Sequence, residues 1–162
     1  MGLQNTILVK GNNPVDEAIA SGVVTPGNLI ERISTGAVRR HATAGGNVAA
    51  LVAKEDDLQG NGITDNYADE ERVFFYAPQP GDVLNMLLKN GETAVIGSFL
   101  ESDGAGKLQV HVPDQADVGL DSASDTTTLY SAQIKFQAIE AVDMSGSSGA
   151  DPNDGRILVE VV

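Results

Sequence analysis

Residues 72–112 read RVFFYAPQPGDVLNMLLKNGETAVIGSFLESDGAGKLQVHV. Short apolar runs at 72–76, 82–88, 93–99 and 107–112 are separated by turn chemistry: Pro78-Gln79-Pro80-Gly81, Asn90-Gly91 and Asp103-Gly104-Ala105-Gly106. Asn-Gly takes the positive φ angles of a type I′ hairpin turn most readily. In the last run Leu108, Val110 and Val112 alternate with Lys107, Gln109 and His111. A period of two with one polar face is the pattern of a half-buried antiparallel strand, because successive side chains point to opposite faces. The stretch is expected to be a β-meander and the nucleus of a mainly antiparallel β-barrel or β-sandwich.

Working outward, Ile7-Leu8-Val9 reads as a first strand or an arm that pairs with something, and Gly11-Asn12-Asn13-Pro14 as a break. Asn13 can cap and Pro14 begin a short helix ending before Gly22. Pro26-Gly27 is a turn, 29–34 and 37–40 are strand candidates, and 48–54 reads as a buried strand. Residues 55–71 and 113–128 are long acidic loops, and 145–154 is a third loop rich in Gly, Ser and Asp. Between the second and third loops, 130–142 alternates until the period switches near Ile139. The closing run, 156–162, is apolar enough that it must be paired and covered. No repeat of about 20–50 residues and no heptad pattern stands out. The expected organisation is an N-terminal arm, 1–13, and a single β-rich domain, 14–162, all-β with at most one short helix.

Composition excludes several classes. The chain has 162 residues, enough for one domain with a real core, and its 18 glycines suit a fold of many tight turns. It has no cysteine, so no disulfide framework and no thiolate metal site is possible. No apolar run approaches the ~20 residues that span a bilayer, and no Sec-type signal opens the chain. Met1-Gly2 with Thr6 matches a myristoylation pattern only formally, since one acyl chain needs a second anchor such as a polybasic patch. The net charge is −13. Four basic and three acidic groups lie in residues 1–53, so the remaining 109 residues carry −14. Such a body repels phosphate backbones; neither nucleic acid nor membrane is an expected partner.

Catalytic signatures are sparse. His41 and His111 are the only imidazoles. The parts of a Ser-His-Asp triad exist, but no Gly-x-Ser-x-Gly elbow does, and no phosphate-binding loop occurs. Acid clusters at 55–57, 65–71 and 121–125 supply hard oxygens for Ca²⁺ but lack EF-hand spacing, so solvated loop acids are the plainer reading. No catalytic residue, metal or cofactor is assigned.

Between Val23 and His111 a set of short patterns accumulates: V-x-P-G-x-L-I-E (Val24, Pro26, Gly27, Leu29, Ile30, Glu31), G-x-V-x-x-H (Gly36, Val38, His41), Leu51-Val52-Ala53-x-Glu55-Asp56, and PGD-x-x-x-M-x-L-x-x-G (Pro80, Gly81, Asp82, Met86, Leu88, Gly91). The chain there resembles the head decoration (cement, auxiliary capsid) proteins of tailed phages. That resemblance implies a tulip-like β fold with no enzymatic activity and no cofactor. It implies a protein made in the host cytoplasm that adds to the outer surface of an expanded capsid. There it clamps neighbouring major capsid protein subunits, often as a homotrimer. On that reading Ile7, Leu8, Val9 and Lys10 form an arm that adds a strand to a capsid subunit. Arg32, Arg39 and Arg40 are then the ion-pair donors to shell carboxylates. Two other classes stay open. A carbohydrate- or receptor-binding β module would use loop aromatics such as Tyr67 and Tyr130, and a small Ca-dependent hydrolase would use the acid clusters.

Overall fold

A computed structural model describes residues 4–112, 130–147 and 155–162. Apart from one 3-10 turn, Asp57–Gln59, the regular structure is all strand. The strands are β1 (Leu8–Lys10), β2 (Val15–Ile19), β3 (Ile30–Arg32), β4 (Val38–Arg40), β5 (Val52–Ala53), β6 (Arg72–Tyr76), β7 (Val83–Leu87), β8 (Thr93–Ala94), β9 (Phe99–Ser102), β10 (Leu108–Val110), β11 (Phe136–Ala138), β12 (Val142–Asp143) and β13 (Arg156–Val161). No helix among the described residues is long and apolar enough to cross a membrane.

The strands build two small closed units. In the first, β2 pairs with β6 and β6 with β5. Leu29 bridges to Val52, carrying the sheet into the β3–β4 hairpin, and a parallel bridge from Ala20 to Val38 returns it to β2. Val24, Ile30, Val38, Ala53, Val73 and Phe75 fill the interior. In the second unit the order is β7-β13-β11-β9-β10, and a parallel bridge from Leu88 to Leu108 brings the last strand back to the first. Polar groups finish that seam: Lys89 N–H donates to the Leu108 carbonyl at 2.8 Å and Val110 N–H to Glu92 Oε2 at 3.1 Å. Leu84, Met86, Leu100, Leu108, Phe136, Ile157 and Val159 lie inside. Closure removes the open edges that apolar runs such as 156–162 would otherwise present. β13 is accordingly paired on both sides, with β7 and β11, as its apolarity requires.

The two units are copies of one topology. Numbered within each unit, both run 1-5-4-2-3, and both close by a parallel bridge from the end of strand 1 to the start of strand 3. The hairpin registers Ile30↔Arg40, Glu31↔Arg39 and Arg32↔Val38 become Leu100↔Val110, Glu101↔Gln109 and Ser102↔Leu108 when 70 is added to each number. The turns before the hairpins agree at the same offset. Asn28 N–H bonds to Thr25 O as Ser98 N–H bonds to Val95 O, and Gly27 and Gly97 have φ of 90° and 89°. Even the cap is repeated: Thr25 N–H donates to Asn28 Oδ1, Val95 N–H to Ser98 Oγ. The isolated Val24↔Tyr67 bridge has its counterpart in Ala94↔Val142. The period of about 70 residues exceeds the range in which repeats are sought for solenoids, and what the units share is turn chemistry, pairing and a few polar side chains rather than the apolar ones.

The duplication corrects the expected meander. β6 and β7 belong to different units and do not pair; of the successive runs only β9 and β10 form a hairpin, through the Asp103–Lys107 turn. Gly91 has φ of 89°, but Glu70 is the only described non-glycine residue with positive φ, so Asn90-Gly91 is not a type I′ turn and does not fold β8 back on β7. Residues 93–99 are not one strand; they split around the 95–98 turn, and β8 pairs with β12 instead. The helix expected after Pro14 is β2, held along its length against β6. Local capping signals lost there to a partner strand. The 55–71 loop is anchored, because Tyr67 is buried in the first core and its hydroxyl donates to Lys54 O at 2.7 Å. Gly2, residues 113–128 and most of 145–154 lie outside the described residues.

Candidate functional site: the protein's interaction surfaces

The expected arm is only partly free. β1 pairs with β7, Leu8 opposite Leu84 and Lys10 opposite Val83, with an irregularity between them. Ile7 is fully buried in the second core, its N–H donating to Glu55 Oε2 at 3.2 Å and its carbonyl accepting from Asn85 N–H at 2.8 Å. Ile7 is therefore a core residue and cannot touch a partner while the fold is intact. Leu8 is half-buried against the same core, whereas Val9 and Lys10 are exposed.

The three arginines do not form one patch. Opposite residues of an antiparallel pair share a face, so Arg32 and Arg40 accompany buried Val38 and Ile30, while Arg39 stands on the other face opposite Glu31. Arg39 Nε donates to Glu31 Oε1 at 2.8 Å. Arg32 donates to Asp16 Oδ2 at 2.8 Å and lies over the Phe75 ring, 5.1 Å from its centroid. The Arg32 guanidinium and the Glu17 N–H hold the Asp16 carboxyl below its ordinary value. Arg40 packs its stem where Gly106 leaves room for it, and its charge has no ion-pair partner among the described residues.

The two histidines occupy equivalent positions, 70 apart, each beside the equivalent glutamate. His111 Nδ1 lies 2.6 Å from Glu101 Oε2, and His41 Nε2 lies 3.8 Å from Glu31 Oε2. His41 also touches Ser102 Oγ at 2.7 Å through Nδ1 and Asn47 O at 2.9 Å through Nε2. A Ser-His-Glu set thus exists in outline, but Ser102 has no exposed surface and its oxygen also accepts the Gly104 N–H at 3.1 Å. These contacts tie the two hairpins together. Among the described residues no three of His, Asp and Glu cluster as metal ligands would.

Sequence reasoning missed the joint between the units. The 25–28 turn of the first unit seats against the second, where Arg156 donates to Pro26 O at 3.0 Å and to Ile63 O at 2.5 Å. Leu87 N–H bonds to Gly27 O at 3.3 Å and Leu29 N–H to Gly106 O at 2.9 Å. A Cβ on Gly27 would lie 3.1 Å from Asn85 O, so glycine is required for the approach as well as for its φ. Burial pulls the Arg156 guanidinium down to about 10, against an upward pull from Glu55. One Arg156 nitrogen and Asp56 Oδ1 are buried without a hydrogen-bond partner among the described residues.

Also missed were the exposed apolar groups. Ile96 is 71 % and Phe99 48 % exposed in the second unit, and Val15 and Ile19 are each 47 % exposed on β2. Tyr67, a sugar-platform candidate by sequence, is buried, and Tyr130 is half-buried. Alternation does predict Phe99 outward once its neighbour Leu100 is placed inward. No protein-family model matches this chain, and no curated protein matches it.

Proposed function

We propose that this protein is a structural component of a virion, a head decoration protein that binds the outer surface of an expanded capsid and clamps neighbouring major capsid subunits, acting as a trimer. The observation that supports this most directly is the placement of two of the exposed cations that make no ion pair among the described residues, Lys89 being a third. Lys10 on the outermost strand and Arg40 on the β3–β4 hairpin are exposed and make no ion pair among the described residues. Both belong to the contact set that the resemblance suggests, and a shell surface bearing carboxylates would pair with them. Clamping follows from multiplicity. Each protomer contributes a modest patch, and linked protomers convert later contacts into intramolecular ones, raising avidity without new chemistry.

Because Ile7 is part of the core, removing residues 1–13 would confound binding with folding. The cleaner test is the double variant K10E/R40E, compared with wild type by co-sedimentation with expanded, undecorated heads. Wild type should bind saturably and the variant at least ten-fold more weakly, with an unchanged thermal transition. Absence of wild-type binding would refute the reading, as would undiminished binding of the variant.

A further inference from the structure

The joint between the two units is a docking event of which only one half of each surface is used. The first unit's 25–28 turn is buried on the second unit, whereas the equivalent 95–98 turn is exposed. The receiving face is likewise used once. In the second unit it consists of Leu87 and Arg156 on β7 and β13 and Gly106 at the hairpin. Strand register names the equivalents in the first unit. Leu87↔Arg156 corresponds to Ile19↔Arg72 at the same end of the same strand pair, and Gly106 minus 70 is Gly36. Ile19, Arg72 and Gly36 are all exposed, and β2 is the outer strand of the three-stranded sheet.

We propose that the intramolecular joint recurs between molecules: the 95–99 turn of one copy seats on the β2–β6 face of a second copy of this chain. Arg72 then donates to the Ile96 carbonyl as Arg156 does to Pro26 O. The Ile19 N–H meets the Gly97 carbonyl, and the Phe99 N–H meets the Gly36 carbonyl. Both surfaces carry what an interface needs. Val95, Ile96 and Phe99 are exposed on one, and Val15 and Ile19 on the other. A second copy is the occupant because the chain already makes this joint once within itself, turn against strand-pair end, and the net charge of −13 that opposes association is least felt at a turn without acids. Residues 93–100 contain no charged side chain, and the receiving face offers the cation Arg72 beside Glu17. Turn and face are different patches, so the contact is head-to-tail, and such contacts close into rings or extend as chains. This inference goes beyond the decoration reading and does not rest on it.

The test is the mass of the full chain in solution by sedimentation velocity with the variants Ile96→Asp and Ile19→Asp. Wild type is expected to be oligomeric, and each variant alone monomeric or at least ten-fold weaker in association. An equimolar mixture should form a one-to-one dimer and nothing larger, because one intact turn and one intact face remain. That pairing separates head-to-tail association from a symmetric turn-to-turn contact, in which Ile19→Asp alone would stay associated and Ile96→Asp would not join it. If either variant loses its β-sheet circular dichroism, Phe99→Ser and Arg72→Ala serve as the pair. A monomeric wild type, an oligomer unaffected by both variants, or variants that fail to pair would each overturn the proposal.

Discussion

Replacing Ile7 by alanine distinguishes a loose arm from a seated one. Ile7 has no exposed surface, and its side chain sits in the second core close to the Gly27 turn, where its Cδ1 lies 3.5 Å from the position a Gly27 Cβ would take. The substitution removes three carbon atoms from an apolar interior, about 2.4 kcal/mol at about 0.8 kcal/mol per buried carbon. The surroundings are held by β7 pairing and by the Arg156 joint, so they relax little and a cavity term adds to the transfer term. The expected total is about 3–4 kcal/mol, within the range for buried Ile→Ala changes. With a urea slope of about 2 kcal/mol per molar for a domain of this size, the midpoint should fall by about 1.5–2 M at unchanged slope. The companion Val9→Ala, at a side chain 37 % exposed, should cost less than about 1 kcal/mol. A loss below about 1 kcal/mol for Ile7→Ala would refute the reasoning and return residues 4–10 to the status of a free arm.

Gly27→Ala and Gly97→Ala probe equivalent positions of the duplication. Both put a Cβ on a backbone at positive φ, a strain of about 1 kcal/mol, but only Gly27 faces a neighbour, Asn85 O and the Arg156 guanidinium, while Gly97 faces open space. Thermal unfolding should show Gly27→Ala to be clearly the more damaging; equal losses would contradict the joint. Alkaline stability follows from the buried phenols. Burial raises Tyr76 to about 12 and Tyr67 further. The unfolded chain therefore releases these protons first, near 10, and stability is full below that value and lost as pH rises above it. The Arg156 shift opposes this, since the folded state releases that proton first, but one group works against two. The urea midpoint should fall as pH rises from about 10, the unfolded phenol value, toward about 12, the raised Tyr76 value, and fall less steeply in Tyr67→Phe; a flat profile in wild type would contradict the burial of these rings.

The cations proposed as contacts were legible as charges but not in their arrangement. Charge pattern singles out Lys10 and the arginines, since cations are few in an acidic chain. It does not show that Glu31 and Asp16 already engage Arg39 and Arg32, because those partners come into reach only through strand pairing. Likewise the alternation around Phe99 is visible, but the break of 93–99 into two strands hides it. The Arg156 joint left no local mark, since its acceptors Pro26 and Ile63 are 130 and 93 residues away.

What the sequence determined by itself is the set of elements and stops. Pro26-Gly27, Pro80-Gly81 and Asp103–Gly106 turn where their residues say, because a positive φ is a local property that glycine alone takes without strain. The strand character of 72–76, 83–87, 108–110 and 156–161 was equally local, carried by β-branched and alternating side chains. Which strands pair was decided only by the tertiary structure. A strand's edges present the same N–H and C=O groups to any partner, so pairing depends on which closure buries the inward faces. Here the solution is the same five-strand circuit made twice, with Ile7 drawn into the second core and the first unit's turn pressed onto its twin. Strand propensity overrode the helix signals at Pro14 because five residues of ladder against β6 outweigh one capped turn. The repeat shows in pairing geometry, where closure enforces it, and in the Glu31/Glu101 and His41/His111 pairs, but not in the apolar interiors, where any residue of suitable size fills the core.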